Sequence, residues 1–260
     1  MDDQRITAIL SELRAASITP EAATQNMIAI FADHECTLTS LNLAVNEIGD
    51  AGTRALAEAL KNPGCMLTSL NLRWNKIGSE GAQALAEALQ TNRTLTSLNL
   101  SRNYISHVGV KALAKTLGIN KTLTSLNLWH NHIDNKGAIV LAEALKDPRC
   151  TLTSLCLLGN DIGPKGGKAI AEALKTNSTL TYLYLDNNDI GDEAKTDLFN
   201  VTLTWAQKGR LIEINGVFSE DQKQTIQEAY DAAILASYQR LALATALLTA
   251  DTPSNSISSL

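Results

Sequence analysis

Two positions in this sequence carry side chains suited to gripping a ligand, and both recur at a fixed interval. Arg73-Trp74, Ser101-Arg102 and Trp129-His130 fill the same two places in successive copies of a repeated segment. Ala44-Val45, Leu158-Gly159 and Asp186-Asn187 fill them in the other copies. The neighbouring positions are constant by comparison, with Ser40, Ser69, Ser97, Ser125 and Ser154 in one and Asn42, Asn71, Asn99 and Asn127 in the other. In the sixth copy these become Tyr182 and Tyr184. Stacking the copies therefore predicts a partner-binding patch of Arg73, Trp74, Arg102, Trp129 and His130, extended by Tyr182, Tyr184 and Asp186. Trp, Tyr and Arg dominate binding hot spots because they bury large areas or form several directed hydrogen bonds. An exposed tryptophan on a rigid surface also costs solubility, so its presence asks for a reason. The alternative is intramolecular, with the indoles folded against the turns or the carboxy-terminal segment.

Catalytic chemistry has no comparable set. No histidine stands at motif spacing from a nucleophile and a carboxylate, and the paired acids belong to solvated helix faces. Gly163-Pro164-Lys165-Gly166-Gly167-Lys168 is close to a phosphate loop but one residue short, with Ala169 where Ser or Thr binds magnesium. It also aligns with Gly49-Asp50-Ala51-Gly52, an ordinary helix entry of another repeat. Cys36, Cys65 and Cys150 share one repeat position, Cys156 replaces a strand Asn, and no C-x-x-C pair occurs. Cys36 and Cys65 stack as neighbours, so a disulfide is geometrically open to them, but small buried thiols are the expectation. His34, His107, His130 and His132 show no ligand spacing with the cysteines, so no metal site is expected. The sequons at Asn92, Asn120 and Asn177 recur because the repeat recurs. The sequence reads as a binding protein, not an enzyme, and implies no cofactor.

The scaffold that must position the patch is the segment L-T-S-L-N-L, beginning at Leu38 and returning at Leu67, Leu95, Leu123, Leu152 and Leu180. The steps are 29, 28, 28, 29 and 28 residues, a period that signals a solenoid. In Leu41-Asn42-Leu43 the alternation of period two gives a short half-buried strand. In Gly52–Lys61 the residues Ala55, Leu56, Ala59 and Leu60 share one helical face, leaving Glu58 and Lys61 on the other. Strands stack at about 4.8 Å while helices are about 10 Å across. The helical side must splay, and the sheet must line a concave face. The Asn column, Asn46, Asn75, Asn103, Asn131, Asn160 and Asn188, sits where the strand turns away and is expected to satisfy backbone groups of the turn. Gly49, Gly78, Gly163 and Gly191 are expected to supply turn conformations closed to other residues.

The pattern L-x-x-L-x-L-x-x-N-x-I/L-G at this spacing resembles the leucine-rich repeats of the ribonuclease-inhibitor type, over roughly residues 18 to 216. The resemblance implies an α/β fold, a right-handed horseshoe with parallel strands on the concave face, α-helices on the convex face and helical caps at both ends. The near-identity of the repeats and the unrelated ends also resemble leucine-rich effectors that intracellular bacteria deliver by type IV secretion of the Dot/Icm kind. That second resemblance implies a host protein as partner and action in a host cytosol. Some ribonuclease-inhibitor-type repeat proteins act on small GTPases, so a GTPase-activating role using Arg73 or Arg102 is the enzymatic alternative.

Residues 1–36 read as a helical cap, with Ile6, Ile9, Leu10 and Leu13 in a stripe and Thr19-Pro20-Glu21 starting a second helix. Met27, Ile30 and Phe31 align 29 residues before Leu56, Ala59 and Leu60, a degenerate half-repeat. Residues 37–216 hold six full repeats and a degenerate seventh, whose strand is expected at Leu211–Ile214 with Ile212 and Ile214 matching Leu183 and Leu185. Residues 217–250 read as a carboxy-terminal helix opened by the capping box Ser219–Gln222. Its stripe of Ile226, Tyr230, Ala233, Ile234, Ser237, Leu241, Ala244 and Leu248 makes it a cap or a partner-docking element. Residues 251–260 are short, polar and Ser-rich and are expected to be disordered. A net charge of -5 with no basic cluster argues against nucleic acid. The start lacks the regions of a signal peptide and the apolar stretches are too short for a bilayer, so a cytosolic protein without membrane insertion is expected.

Overall fold

A computed structural model describes residues 2–15, 17–32 and 37–250, the last ten of these by backbone alone. His34, Cys36 and the tail 251–260 lie outside the described residues, and with them the Cys36–Cys65 pairing and the expected disorder of the tail. The side chains of Leu13, Phe31, Leu241, Ala244 and Leu248 are likewise outside it.

Two helices, α1 (Asp2–Arg14) and α2 (Pro20–Ala32), precede a regular alternation: β1 (Ser40–Asn42), α3 (Gly49–Leu60), β2 (Ser69–Asn71), α4 (Ser79–Thr91), β3 (Ser97–Asn99) and α5 (Ser106–Leu117). It continues through β4 (Ser125–Asn127), α6 (Asn135–Lys146), β5 (Ser154–Cys156), α7 (Pro164–Leu174), β6 (Tyr182–Tyr184), α8 (Asp192–Gln207), β7 (Glu213–Asn215) and α9 (Glu220–Ala250). The strands form one parallel sheet in the order β1 to β7. Register matches the repeat, Leu41 to Leu70 to Leu98 to Leu126 to Leu155 to Leu183. Because each strand is followed by a helix on the same side, the core lies between sheet and helices as one continuous apolar cluster from Ile6 to Ile214. The leucines and small alanines fill it in repeated layers, and the outward residues, Ser and Asn in β1 to β4, face the concave side.

Asparagines hold successive repeats together. The buried Asn103 amide donates to Leu72 O (3.0 Å), Leu100 O (2.9 Å) and Ser101 O (3.2 Å), and its Oδ1 accepts Asn75 N–H (2.9 Å) and Ile77 N–H (3.0 Å). Asn131 and Asn160 repeat the pattern. The expectation for this column holds for a physical reason. The chain leaves the sheet here, and a side-chain amide replaces the sheet partners that the backbone has lost. The sequon asparagines form a second such column at the helix ends. Asn92, Asn120 and Asn177 are buried and donate to Leu60 O, Leu89 O and Leu145 O of the preceding helices.

Two expectations need correction. The glycine rule holds at Gly49 (φ +62°) and Gly191 (φ +76°). Gly78 and Gly163 instead have φ -96° and -93°, open to any residue. They are small because a side chain of the preceding repeat lies against them: a Cβ would sit 2.9 Å from the Asp50 carboxylate or the Asn135 amide. The seventh strand is also shifted. Ile214 pairs with Leu183, so Leu211, Ile214 and Asn215 take the places of Leu180, Leu183 and Tyr184. The cause is α8, whose 16 residues exceed the 11 to 13 of α3 to α7. Ile212 and Ile214 stay buried because a shift of two residues preserves the face. Among the described side chains, the stripe of α9 meets the protein near its start, which is compatible with a cap or a docking element. Ile226 is buried and Ile234 approaches Gly209, but Ser237 is exposed.

Both helix starts read from sequence are present. Thr19 Oγ1 accepts Ala22 N–H (3.2 Å), and Ser219 and Gln222 make the reciprocal capping box at 3.0 and 3.3 Å. Removing the Asn103 amide strands several buried backbone groups, each worth ~1–3 kcal/mol. Asn103→Ala should therefore lower urea unfolding stability by about 3 kcal/mol or more. Asn99→Ala, which removes one acceptor for Ser101 N–H, should cost only about 1 kcal/mol.

Candidate protein-binding site

The surface gathered by the variable positions starts from the constant strand asparagines. Asn71, Asn99 and Asn127 turn their Oδ1 onto the N–H two residues on, at Arg73 (3.1 Å), Ser101 (2.9 Å) and Trp129 (2.9 Å). Each first variable residue is thereby fixed at the exit of its strand. The second variable residue is left-handed, with φ 56° at Trp74, 55° at Arg102 and 54° at His130. Such a conformation costs a non-glycine residue about 1–2 kcal/mol. It is held by the ladder, in which Trp74, Arg102 and His130 donate their N–H to Ser101 O, Trp129 O and Leu158 O.

Four of the expected residues converge. The Arg102 guanidinium lies 4.5 Å from the ring centre of Trp129 and 5.2 Å from that of Trp74, and the Arg73 guanidinium 5.7 and 6.0 Å from the same two rings. Cations over indole faces attract through the ring quadrupole. Arg73 and Trp129 close over the residue between them, Ser101, which is left 1% exposed. Gly159 makes room on the far side, since a Cβ there would stand 3.2 Å from the Trp129 Nε1. The cluster still faces solvent, with Trp74 49% exposed.

His130 joins at the rim. Its Nδ1 lies 3.2 Å from Gly159 O, and its ring meets His132 at 5.7 Å, which in turn stacks on Tyr104 at 6.4 Å. Tyr182, Tyr184 and Asp186 stand apart. No ring or cation–π contact among the described residues links them to the four, because Leu158 and Gly159 of the fifth repeat intervene. Tyr182 instead lines an open cleft of about 580 Å³ between β7 and α9, with Phe218 and Ile226. The Asp186 carboxylate turns to Gly216, and burial pushes the half-buried Tyr184 hydroxyl's pKa up.

Sequence reasoning missed a third variable column, Glu47, Lys76, Tyr104, His132, Asp161 and Asp189. Its spacing is that of the first two and was available as a signal. Within it Lys76 pairs with Glu47 at 3.0 Å, and the His132 ring lies 3.4 Å from the Asp161 carboxylate. Ser101 was also missed, since smallness beside variable neighbours signals a floor only once the neighbours are seen to lean over it.

The phosphate-loop lookalike is filled by protein. Gly163 N–H and Gly166 N–H both donate to Asn135 Oδ1, at 3.1 and 2.6 Å. Asp50 treats Gly78 and Gly81 in the same way. Burial pushes the thiols of Cys150 and Cys156 up, away from the reactive thiolate. Among the described residues no cluster of three His, Cys, Asp or Glu could hold a metal ion, and no helix is long and apolar enough to cross a membrane.

The repeats themselves decide the family. The Leucine Rich repeat family matches residues 34–57, 65–86, 91–114, 120–142, 150–171 and 176–194, together more than half of the chain. The chain belongs to the leucine-rich repeat family. No curated protein matches the sequence. Among solved structures, a leiomodin-1 structure titled as its actin-binding site 2 is similar at 21% identity, with a TM-score of 0.50, over 63% of this chain and 95% of that one. The tropomodulin C-terminal domain of Caenorhabditis elegans is similar at 16% identity, with a TM-score of 0.49, over 64% and 97%. At such identity the leiomodin likeness shows the fold alone.

Within this leucine-rich repeat scaffold the four-membered cluster depends on a small residue at its centre. Leucine occupies the equivalent place at Leu158, so Ser101→Leu is compatible with the fold. It should leave the circular-dichroism spectrum intact while displacing Trp129, read as a shift of tryptophan emission by several nanometres.

Proposed function

We propose that the chain is a non-enzymatic module that captures a protein partner on the concave face, through Arg73, Trp74, Arg102 and Trp129, with His130 at the rim. One observation carries this reading: two tryptophans and two arginines are assembled at the strand exits, at positions that other repeats of the chain fill with Ala44-Val45 and Leu158-Gly159. Nothing in packing requires them there. Elsewhere in the same column Ala44 and Leu158 serve the repeat equally well. A rigid sheet loses little entropy on binding, so aromatic anchors on it are efficient.

The GTPase-activating alternative asks an arginine to reach outward to a phosphoryl group. Both guanidiniums are held on indole faces at the strand exits of a rigid sheet, not on a protruding loop, which favours recognition. The carboxy-terminal helix supports a second docking element, because Leu235 and Tyr238 are 59% and 67% exposed on α9. Tyr182, Tyr184 and Asp186 belong with that end of the molecule in this reading. The resemblance to delivered effectors makes a host protein the partner to seek first.

Trp74→Ala combined with Trp129→Ala should abolish partner capture from eukaryotic lysate, at least tenfold by quantitative mass spectrometry, roughly the effect of losing one hot spot. The melting temperature should move by no more than a few degrees. Capture unaffected by the double substitution, but lost on truncating α9, would transfer the function to the helix.

A further inference from the structure

The two arginines of the cluster are electrostatically incomplete, and a third arginine of the same chain shows how. Arg210 stacks on the buried Trp205 at 3.7 Å and also donates from both terminal nitrogens, to Asn177 O (2.8 Å) and Leu180 O (3.0 Å). It ties the last repeat together, and its hydrogen-bonding edge is spent on carbonyls. Arg73 and Arg102 stack in the same manner, yet neither makes a side-chain hydrogen bond or ion pair among the described residues. Their Nε atoms are buried without a partner, as is the Oγ of Ser101 beneath them. Three unsatisfied donors thus meet around one small floor residue. In the adjacent column Lys76 pairs with Glu47 and the His132 ring lies 3.4 Å from the Asp161 carboxylate, so acids stand close by but turn to other groups. None is paired with Arg73 or Arg102 among the described residues. The outward strand positions flanking the cluster, Ser69, Asn71, Ser97, Asn99, Ser125 and Asn127, are all uncharged.

We propose that the Arg73–Trp74–Arg102–Trp129 cluster is a carboxylate receptor, built to take the Asp or Glu side chains of an acidic segment of a protein partner. This deepens the concave-face reading and rests on it. A guanidinium offers five N–H donors in a fixed fork that matches a carboxylate, and pairs of this kind are frequently bidentate. Two such forks at one site, with no internal acid, repel each other until an anion arrives. The indole faces set the second requirement: the anion must arrive on a short apolar stem that can lie against a ring, which Asp and Glu provide. Stacking orients the guanidiniums without using their donors, so the partner's oxygens find them already placed. The net charge of -5 sharpens the selectivity, because an acidic segment is repelled by most of the surface and drawn only to this opening.

The test uses the full chain and a fluorescein-labelled polyglutamate peptide, with polyglutamine and polylysine peptides and a phosphoserine-rich peptide alongside, read by fluorescence anisotropy. The expected result is binding of polyglutamate over polyglutamine and polylysine by about tenfold or more. Binding should weaken between about 50 and 300 mM salt, as screening requires. Arg73→Met with Arg102→Met, which keeps the stems on the indoles and removes the forks, should lose that binding. Arg102→Lys should recover only part of it, since an ammonium cannot stack or bind bidentately. Equal binding of polyglutamine, retention by the double methionine variant, or a tenfold preference for the phosphoserine peptide would each overturn the proposal. The wild-type peptide comparison stands even if the variant folds poorly. Failure here is separable from failure of the concave-face reading: a partner captured by the methionine variant but lost by the Trp74/Trp129 variant leaves that reading intact and removes the carboxylate.

Discussion

A column of side-chain amides at the strand exits ties the first six repeats of this solenoid together. Asn75, Asn103, Asn131, Asn160 and Asn188 each reach back to a carbonyl at the end of the preceding strand. They simultaneously accept from the backbone of the preceding turn. Without them the chain could not leave the sheet at the same place every time, because the turn's polar groups would be buried and unpaired. The left-handed residues just before them, Trp74, Arg102 and His130, are held in an unfavourable conformation by this tie and by the ladder. The proposed binding surface is therefore a consequence of the stacking device. It inherits the rigidity of the core behind it.

That rigidity explains why side chains two repeats apart can cooperate. The helices set a convex side wider than the sheet, and the concave curvature brings the strand exits toward one another. Arg73 and Trp129 span the gap over Ser101, a contact that a flat or flexible sheet would not sustain. The chain uses the same guanidinium–indole pairing in two ways. At Arg210 and Trp205 it is buried, hydrogen-bonded to carbonyls and structural, with the guanidinium pKa lowered by burial. At Arg73 and Arg102 it is part-exposed, with no side-chain hydrogen bond among the described residues, the feature on which the proposed carboxylate site rests.

The fold was legible because each repeat states the same pattern again. Six copies of a period-two strand and a period-3.6 helix, each bounded by Asn and often by Gly, leave one architecture consistent with all of them. What escaped was local and depended on neighbours. The seventh strand was placed two residues early since its helix is longer and Ile212 imitates a strand leucine. Gly78 and Gly163 looked like turn glycines, whereas their smallness answers to Asp50 and Asn135 in the repeat before. Of the residues in the variable columns, Arg73, Trp74, Arg102 and Trp129 come together. That Tyr182, Tyr184 and Asp186 lie apart from them was not legible, because direction across an intervening repeat is a property of packing. Glu47 to Asp189, the third column, was visible at the same spacing and needed only to be aligned.

The most direct measurement is hydrogen exchange of the chain alone and saturated with its captured partner. The account predicts new protection at the strand exits of the second, third and fourth repeats, around 72–76, 100–104 and 128–132, with α9 unchanged. Protection confined to α9, and none at those exits, would contradict it.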